Sequence, residues 1–325
     1  LASRRLTFRP NTAAEMSTTQ TQPAAPPAGV DPSLNIWLNG EIVPAAQATV
    51  SVFDHGLLYG DGVFEGIRIY GGRIFKLKTH LRRLYDSAKA IRLDIPQSLD
   101  ELEAACREAR QANGVVDGYI RLCVTRGIGT LGINPFLCKA PCVFIIADDI
   151  TLYPDELYRD GMGIITSSVT RNHPGAVSPR IKSLNYLNNI LAKIQALDAG
   201  VLEAVMFNHV GNVAECTGDN IFIVRDLGVG PALISPPLHA GYLEGVTMRV
   251  ICDLAHEAGI RVHHFDLTRH DLYTADEIFL TGTAAQVIPV TSVDKRTIGD
   301  GTPGAMTRQL MGAFHDLVTR DVPED

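Results

Sequence analysis

Lys182 and Glu215 are the residues whose types and separation are suited to chemistry. Lys182 stands in Arg180-Ile181-Lys182-Ser183-Leu184-Asn185-Tyr186-Leu187-Asn188-Asn189, and Glu215 opens the downstream run Glu215-Cys216-Thr217-Gly218-Asp219-Asn220-Ile221-Phe222. A neutral amine attacks an aldehyde and, once displaced, carries protons; burial favours that neutral form. A carboxylate beside a pyridine nitrogen keeps it protonated, so the ring takes up the electrons released when an α-proton leaves. The pair suggests pyridoxal phosphate chemistry, whereas a lone lysine reads as an ordinary solvated charge.

Four further segments supply what such a site needs. Arg83 lies on a helix expected from Lys78 to Arg92; its neighbour Arg82 diverges by about 100°, so one guanidinium points inward while the other is solvated. Gly245-Val246-Thr247 opens an apolar-periodic helix, where free N–H groups and the helix dipole favour a phosphate. Thr281-Gly282-Thr283-Ala284-Ala285, alone a common turn, lets backbone N–H groups approach a phosphate or carboxylate. Tyr59-Gly60-Asp61-Gly62-Val63-Phe64-Glu65-Gly66-Ile67-Arg68 offers an apolar wall in Phe64 and Gly66. Tyr119 and Arg121 alternate along a strand and share a face that suits a substrate carboxylate. Arg68 and Arg121 also fit structural ion pairs.

Together these segments resemble the fold type IV (class IV) pyridoxal phosphate aminotransferases, most closely the branched-chain amino acid aminotransferases, over roughly Ile36 to Val318. The resemblance implies that Lys182 forms the cofactor imine, Tyr186 bonds the cofactor's phenolic oxygen, and Glu215 faces its ring nitrogen. It implies that Arg83, Thr217, Val246, Thr247 and Thr283 complete the cofactor site. It assigns Tyr59, Phe64, Gly66, Arg68, Tyr119, Arg121, Arg126, Leu131 and Ala284 to substrate, with Tyr59 and the Leu131 loop completing a partner's pocket in a homodimer. The fold implied is two-domain α/β, with a small N-terminal domain and a larger C-terminal pseudo-barrel. The reaction implied is ping-pong transamination between L-leucine, isoleucine or valine and 2-oxoglutarate.

Three features depart from that pattern. The Lys182 to Tyr186 spacing is one residue shorter than in some branched-chain enzymes and is also seen in relatives acting on D-amino acids. Val124-Thr125-Arg126-Gly127 resembles the carboxylate-binding arginine of D-amino acid transaminases. Met248 intervenes where family members commonly carry a basic residue directly after the threonine. A D-amino acid transaminase, an (R)-amine transaminase and an aminodeoxychorismate lyase are therefore alternatives within the fold. A non-catalytic cofactor-binding or regulatory protein on the same fold is the alternative from another class.

The elements that position these residues follow from periodicity. Two short apolar runs flank Asn39-Gly40, a favoured hairpin turn. A second strand-turn-strand spans Val63 to Lys76, with Leu77, Leu81, Leu84, Ala88 and Ile91 then recurring at helical spacing. A helix over Leu99 to Asn113 and strands over Tyr119–Thr125 and Cys142–Ala147 complete a small domain, 34–150. Polar residues 151–159, with Pro154, form the expected linker. The larger domain, 160–325, has strands at Gly163–Val169, Glu203–Asn208, Ile221–Val224 and Glu277–Thr281, with helices at Asn185–Asp198 and Thr247–Ala258.

Residues 1–33 are expected to be a disordered extension, with Met16 as the working start and Arg4, Arg5 and Arg9 a weak transit-peptide signal. With 325 residues, 46% hydrophobic, the chain is long enough for two cores. A net charge of −7 argues against a nucleic-acid or anionic-membrane surface and for a small-molecule partner. Six cysteines without CxxC pairing, and histidines without ligand spacing, give no metal site and suit a reducing, cytoplasmic setting. No apolar run reaches the roughly 18 residues of a membrane helix.

Overall fold

The computed structural model of the protein describes residues 31–150 and 152–320. The extension expected at 1–33 lies outside the described residues as far as residue 30, as do the Met16 start and the transit-peptide reading.

The first hairpin joins β1 (Asn35–Leu38) and β2 (Glu41–Pro44) through Asn39 and Gly40, whose φ values of 51° and 106° supply the two left-handed residues of such a turn. There follow α1 (His55–Tyr59), β3 (Gly62–Tyr70), β4 (Arg73–Ile74), α2 (Leu77–Ala90), α3 (Leu99–Ala112), β5 (Gly118–Thr125) and β6 (Cys142–Asp148). Ser98 and Glu101 form a reciprocal cap that starts α3. The strands make one antiparallel sheet in the order β2-β1-β6-β5-β3-β4. Leu77, Leu81 and Leu84 of α2 and Leu102 and Cys106 of α3 pack on one face, against Val63, Ile67, Ile69, Ile120 and Leu122. Period-two alternation along β3 therefore turns Phe64, Gly66 and Arg68 to the other face.

The expected linker is more ordered than its polarity suggests. It carries α4 (Asp155–Asp160), which Pro154 opens rather than interrupts, because a proline before the first turn costs no intrahelical hydrogen bond. Tyr153 is buried in the second core, and Leu157 and Tyr158 pack against it.

Beyond it come β7 (Met162–Thr166), α5 (Leu187–Asp198), β8 (Ala204–Phe207), β9 (Val213–Cys216), β10 (Asn220–Asp226), β11 (Pro231–Ser235) and α6 (Val246–Glu257). The chain ends in β12 (Val262–His264), α7 (Arg269–Tyr273), β13 (Glu277–Gly282), β14 (Gln286–Val293), β15 (Arg296–Thr297) and α8 (Ala305–Thr319). The second sheet runs β12-β11-β10-β13-β14-β7-β8-β9, with β15 on β14. It is mixed: β11–β12, β14–β7 and β7–β8 are parallel. Cys216 N donates to Asp219 O (2.7 Å), so the edge strand β9 folds back towards β10 and the sheet curls. Helices α6 and α8 cover one face over Phe222 and Phe279. Among the described residues no helix is long and apolar enough to cross a membrane.

Candidate active site

Lys182 is fixed by extended backbone, not by a helix. Phe64 N donates to Lys182 O (3.0 Å), Leu184 N donates to Gly62 O (3.0 Å) and Lys182 N donates to Ser87 Oγ (3.1 Å). The lysine segment is thereby stitched to β3 and α2. Its Nζ lies 4.6 Å from the Phe64 ring centroid and 3.4 Å from Tyr186 Oη. Helix α5 begins at Leu187, two residues later than expected, which leaves Tyr186 in the preceding turn with its ring edge-on to Phe64 at 5.0 Å.

Glu215 lines the same cavity from β9, 5% exposed. Its Oε1 accepts from Arg171 Nε (2.7 Å) and its Oε2 from Leu243 N (3.0 Å). Burial pushes its carboxyl above the usual range, while Arg171, the Leu243 N–H and Lys182 act the other way. Asn220, at the end of the same motif, donates to Leu243 O (2.9 Å). Leu243 is thus clamped through both its N–H and its carbonyl, and the clamp sets where α6 begins.

Arg83 belongs to α2, on the face expected from the sequence, and it is already half engaged. Its Nε and Nη2 fork the Glu65 carboxylate at 2.7 and 2.8 Å, and Nη1 donates to Glu244 O at 2.9 Å. A guanidinium has five N–H donors, so one remains on each Nη for an anion. Glu65 is a charge on the core face of β3, between Phe64 and Gly66. Burial alone would raise its carboxyl, but Arg83 and His80 hold it well below the usual range. The 2.8 Å contact from His80 Nδ1 to Glu65 Oε2 assigns the ring proton to Nδ1. Burial lowers His80, which stays neutral. Glu65→Gln should weaken cofactor affinity at least about tenfold and cost about 3 kcal/mol of stability, because one partner of a buried ion pair is lost. Cofactor titration of the apoenzyme and thermal unfolding check this; unchanged affinity would show that Arg83 does not depend on Glu65.

The second anion donor is the start of α6. Gly245 caps it without a side-chain bond, and the first intrahelical bond there is Arg249 N to Gly245 O, so the N–H groups of Val246 and Thr247 are free of the helix. Met248, where the family pattern has a basic residue, packs into the core that α6 and α8 form over Phe222 and Phe279, 4% exposed.

Lys182, Tyr186, Arg83, Glu215, Thr217, Val246, Thr247, Gly66, Tyr119, Thr283 and Ala284 all line one cavity of about 330 Å³ between the two sheets. Thr281 Oγ1 and Asn189 Oδ1 in its wall have no protein partner among the described residues. Pyridoxal phosphate fits this donor set: anion donors at Arg83 and α6, an amine with a phenol beside it, and a buried carboxylate in the same lining.

The expected substrate residues divide. Gly66 lies directly under Tyr119, whose Oη would be 1.7 Å from any β-carbon there, and Arg121 stacks over the rings of Phe64 (4.6 Å) and Tyr119 (5.5 Å). Arg68 lines an adjoining hollow that shares Leu152, Tyr153 and Ala284 with the cavity. Tyr59, 40% exposed, accepts from Gly132 N, and Leu131 is 76% exposed; both lie away from this chain's own cavity.

Arg126 is not in the lining of the Lys182 cavity and borders a separate hollow beyond α2. It is buried, forks Asp61 at 2.9 and 3.0 Å, and donates to the carbonyls of Ile91 (2.7 Å) and Arg92 (2.6 Å) just past α2. Its charge serves a helix end, where carbonyls need donors. Arg126→Ala should destabilise the fold by about 3 kcal/mol while leaving the ratio of D- to L-amino acid activity unchanged; a selective loss of D-activity would contradict this.

Arg171, Glu65, His80 and Ser87 were not singled out from the sequence. Glu65 carried a signal, since a charge alternating with cavity-facing residues must sit on the buried face. Arg171, 44 residues from Glu215, carried none.

The family model for amino-transferase class IV matches residues 62–293. A Methanocaldococcus jannaschii protein with the provisional name branched-chain-amino-acid aminotransferase is 50% identical over 287 residues, 88% of this chain and 97% of the relative. The branched-chain-amino-acid aminotransferase of Escherichia coli K12 is 38% identical over 295 residues, 89% of this chain and 94% of that one. A crystal structure of the Escherichia coli branched-chain amino acid aminotransferase matches with a TM-score of 0.86 at 36% identity, covering 90% of this chain and 97% of that chain. The branched-chain amino acid aminotransferase from Thermobaculum terrenum, in its PLP-bound holo form, matches with a TM-score of 0.78 at 33% identity, covering 88% and 94%. The matched stretch runs from β3 to β14 and takes in Lys182, Glu215, Arg83 and the start of α6, and on that footing the chain belongs to the class IV aminotransferases of fold type IV.

Proposed function

We propose that this chain transfers the amino group of branched-chain L-amino acids to 2-oxoglutarate in two half-reactions. The observation that carries the reading is the meeting of Lys182 Nζ and Tyr186 Oη, beside the Phe64 ring, in one cavity that Glu215 also lines. Pyridoxal phosphate, when bound, supplies the aldehyde that takes up the amino group and the ring that accepts electrons.

The chain's own residues do the rest. Arg83 and the Val246 and Thr247 N–H groups would hold the phosphate, and Tyr186 the phenolic oxygen. Glu215, kept in place by Arg171 and Leu243, would hold the proton on the ring nitrogen. Lys182 Nζ is the base that takes the substrate α-proton. The Thr281–Ala284 loop and Arg121 offer N–H donors to substrate carboxylates, while Phe64, Gly66 and Tyr119 face an aliphatic side chain and exclude water.

The D-amino acid reading keeps the short Lys182 to Tyr186 spacing but loses Arg126, whose donors are taken by Asp61 and the end of α2. A non-catalytic reading leaves the joint placement of Lys182 and Glu215 without a purpose. A panel of L- and D-amino acids and (R)-amines against 2-oxoglutarate tests the assignment: L-leucine, L-isoleucine and L-valine should lead, and a D-amino acid in first place would overturn it.

A homodimer is part of this reading. Phe53 (50% exposed), Leu57 (63%), Leu131 (76%), Ile133 (85%) and Phe136 (63%) are apolar side chains in and around α1, which carries Tyr59, and the Leu131 loop. Sedimentation at assay concentration should give at least a dimer, and an active monomer would contradict it. Free cysteines, three of them buried, suit a cytoplasmic setting.

A further inference from the structure

The cavity wall beyond Glu215 holds a second set of ionisable side chains that the proton transfer does not use. Asp219, 5% exposed, occupies the turn between β9 and β10. It fills space that Gly282 leaves, since a β-carbon on Gly282 would stand 1.9 Å from Asp219 Oδ1. Its Oδ2 accepts from Tyr153 Oη at 3.4 Å. One carboxyl group therefore touches the Glu215 turn, the Thr281–Ala284 loop and the segment between the two sheets. Thr281 Oγ1, 1% exposed and without a partner among the described residues, belongs to the same wall.

Glu203, 1% exposed, anchors the opposite end of the turn. Its Oε1 accepts from Ala204 N (2.7 Å), Thr217 N (2.9 Å) and the Thr217 hydroxyl, so three donors converge on one oxygen. Asp219 is faced by Glu203, by Lys193 of α5, by Tyr153 and Tyr158, and by Glu215 and Cys216 of β9. Lys193, the cation of this group, lies 3.9 Å from Glu203. Burial, and then the neighbouring Glu203, push the Asp219 carboxyl well above the usual carboxylate range.

We propose that Asp219 is a positioning residue that must carry a proton to hold the Thr281–Ala284 loop, with Tyr153, in the state that receives the substrate carboxylate. The inference rests on assigning that loop to substrate. A neutral Asp219 braces Gly282 without opposing an anion. An ionised one sets a second negative charge beside Glu203 and next to the N–H groups offered to substrate. Carboxylate affinity is therefore full while Asp219 is protonated and falls as pH rises through its ionisation.

The test measures binding of an unreactive carboxylate, 4-methylpentanoate, to the holoenzyme by calorimetry between about pH 6.5 and about pH 9.5. Cofactor absorbance in the same samples reports ionisation at the Lys182 nitrogen and separates it from Asp219. Beyond the part tracked by absorbance, wild type should lose about tenfold in affinity over this range, whereas Asp219→Asn should stay nearly flat. Lys193→Met removes a cation facing the carboxyl and should move the loss to higher pH. Difference infrared spectra should show a protonated carboxyl at neutral pH in wild type that is absent from Asp219→Asn. A loss that persists in Asp219→Asn, or a wild type free of it, overturns the proposal and leaves the transaminase reading standing. If Asp219→Asn does not fold, an unmoved loss in Lys193→Met overturns it. No binding at any pH overturns both.

Discussion

Lys182→Ala is expected to lower the half-reaction with L-leucine at least about ten-thousandfold, since one nitrogen serves as nucleophile and as base, and the proton transfer alone contributes about 10²- to 10⁴-fold. No other amine is placed to substitute among the cavity residues. Lys193 lies in the same wall but is spent on Glu203 at 3.9 Å and on the Leu202 carbonyl. Lys182→Arg should fail equally, because a guanidinium keeps the charge and loses the nucleophile. Single-turnover spectra of cofactor-saturated variants measure this, and a rate within about tenfold of wild type in Lys182→Ala would remove the lysine from the mechanism.

The next largest effect is expected at Glu215. Glu215→Gln should slow the same half-reaction at least about a hundredfold while the cofactor still binds, as with loss of other preorganised electrostatic groups. The glutamine keeps a carbonyl for the Leu243 N–H but holds no charge against a ring nitrogen. It also leaves the Arg171 guanidinium, 7% exposed, without its carboxylate, so stability should fall by about 3 kcal/mol. The two consequences separate experimentally. Unfolding reports the Arg171 pair, and the rate measured at full cofactor occupancy reports the ring nitrogen. An unchanged rate would refute the electron-sink role whatever the stability did.

The residues that meet in the cavity could be singled out because each stands in a short run with its own logic. Lys182 and Glu215 were found as types at a separation, and the α6 start as a glycine before an apolar-periodic helix. Arg83 was separated from Arg82 by helix geometry and resemblance. What the sequence concealed is what holds these residues in place. Arg171 reaches Glu215 across 44 residues, and Ser87 reaches Lys182 across 95, so no local pattern marks either. Arg126 shows the same limit: its motif is shared with a carboxylate-binding loop, and nothing local foretells that Asp61 and the carbonyls after α2 take four of its five N–H donors.

Elements were lost from the sequence reading where two signals conflict. Pro289 argues against a strand, yet it sits within β14 opposite Phe279. Pro154 marked a linker and instead opens a helix, since proline breaks a helix only from inside. The curl that brings β9 back to β10, and so Glu215 to the cavity, depends on long-range pairing that periodicity does not encode.

The central claim is that the Lys182 nitrogen, in a pocket shaped for aliphatic L-amino acids, moves an amino group onto the bound cofactor. Its most direct test is one turnover of the holoenzyme with L-leucine in the absence of any 2-oxo acid. The account predicts loss of the aldehyde form of the cofactor, one equivalent of 2-oxo acid formed per site, and a faster reaction than with D-leucine. A cofactor spectrum that L-leucine leaves unchanged, or a faster reaction with D-leucine, would contradict it.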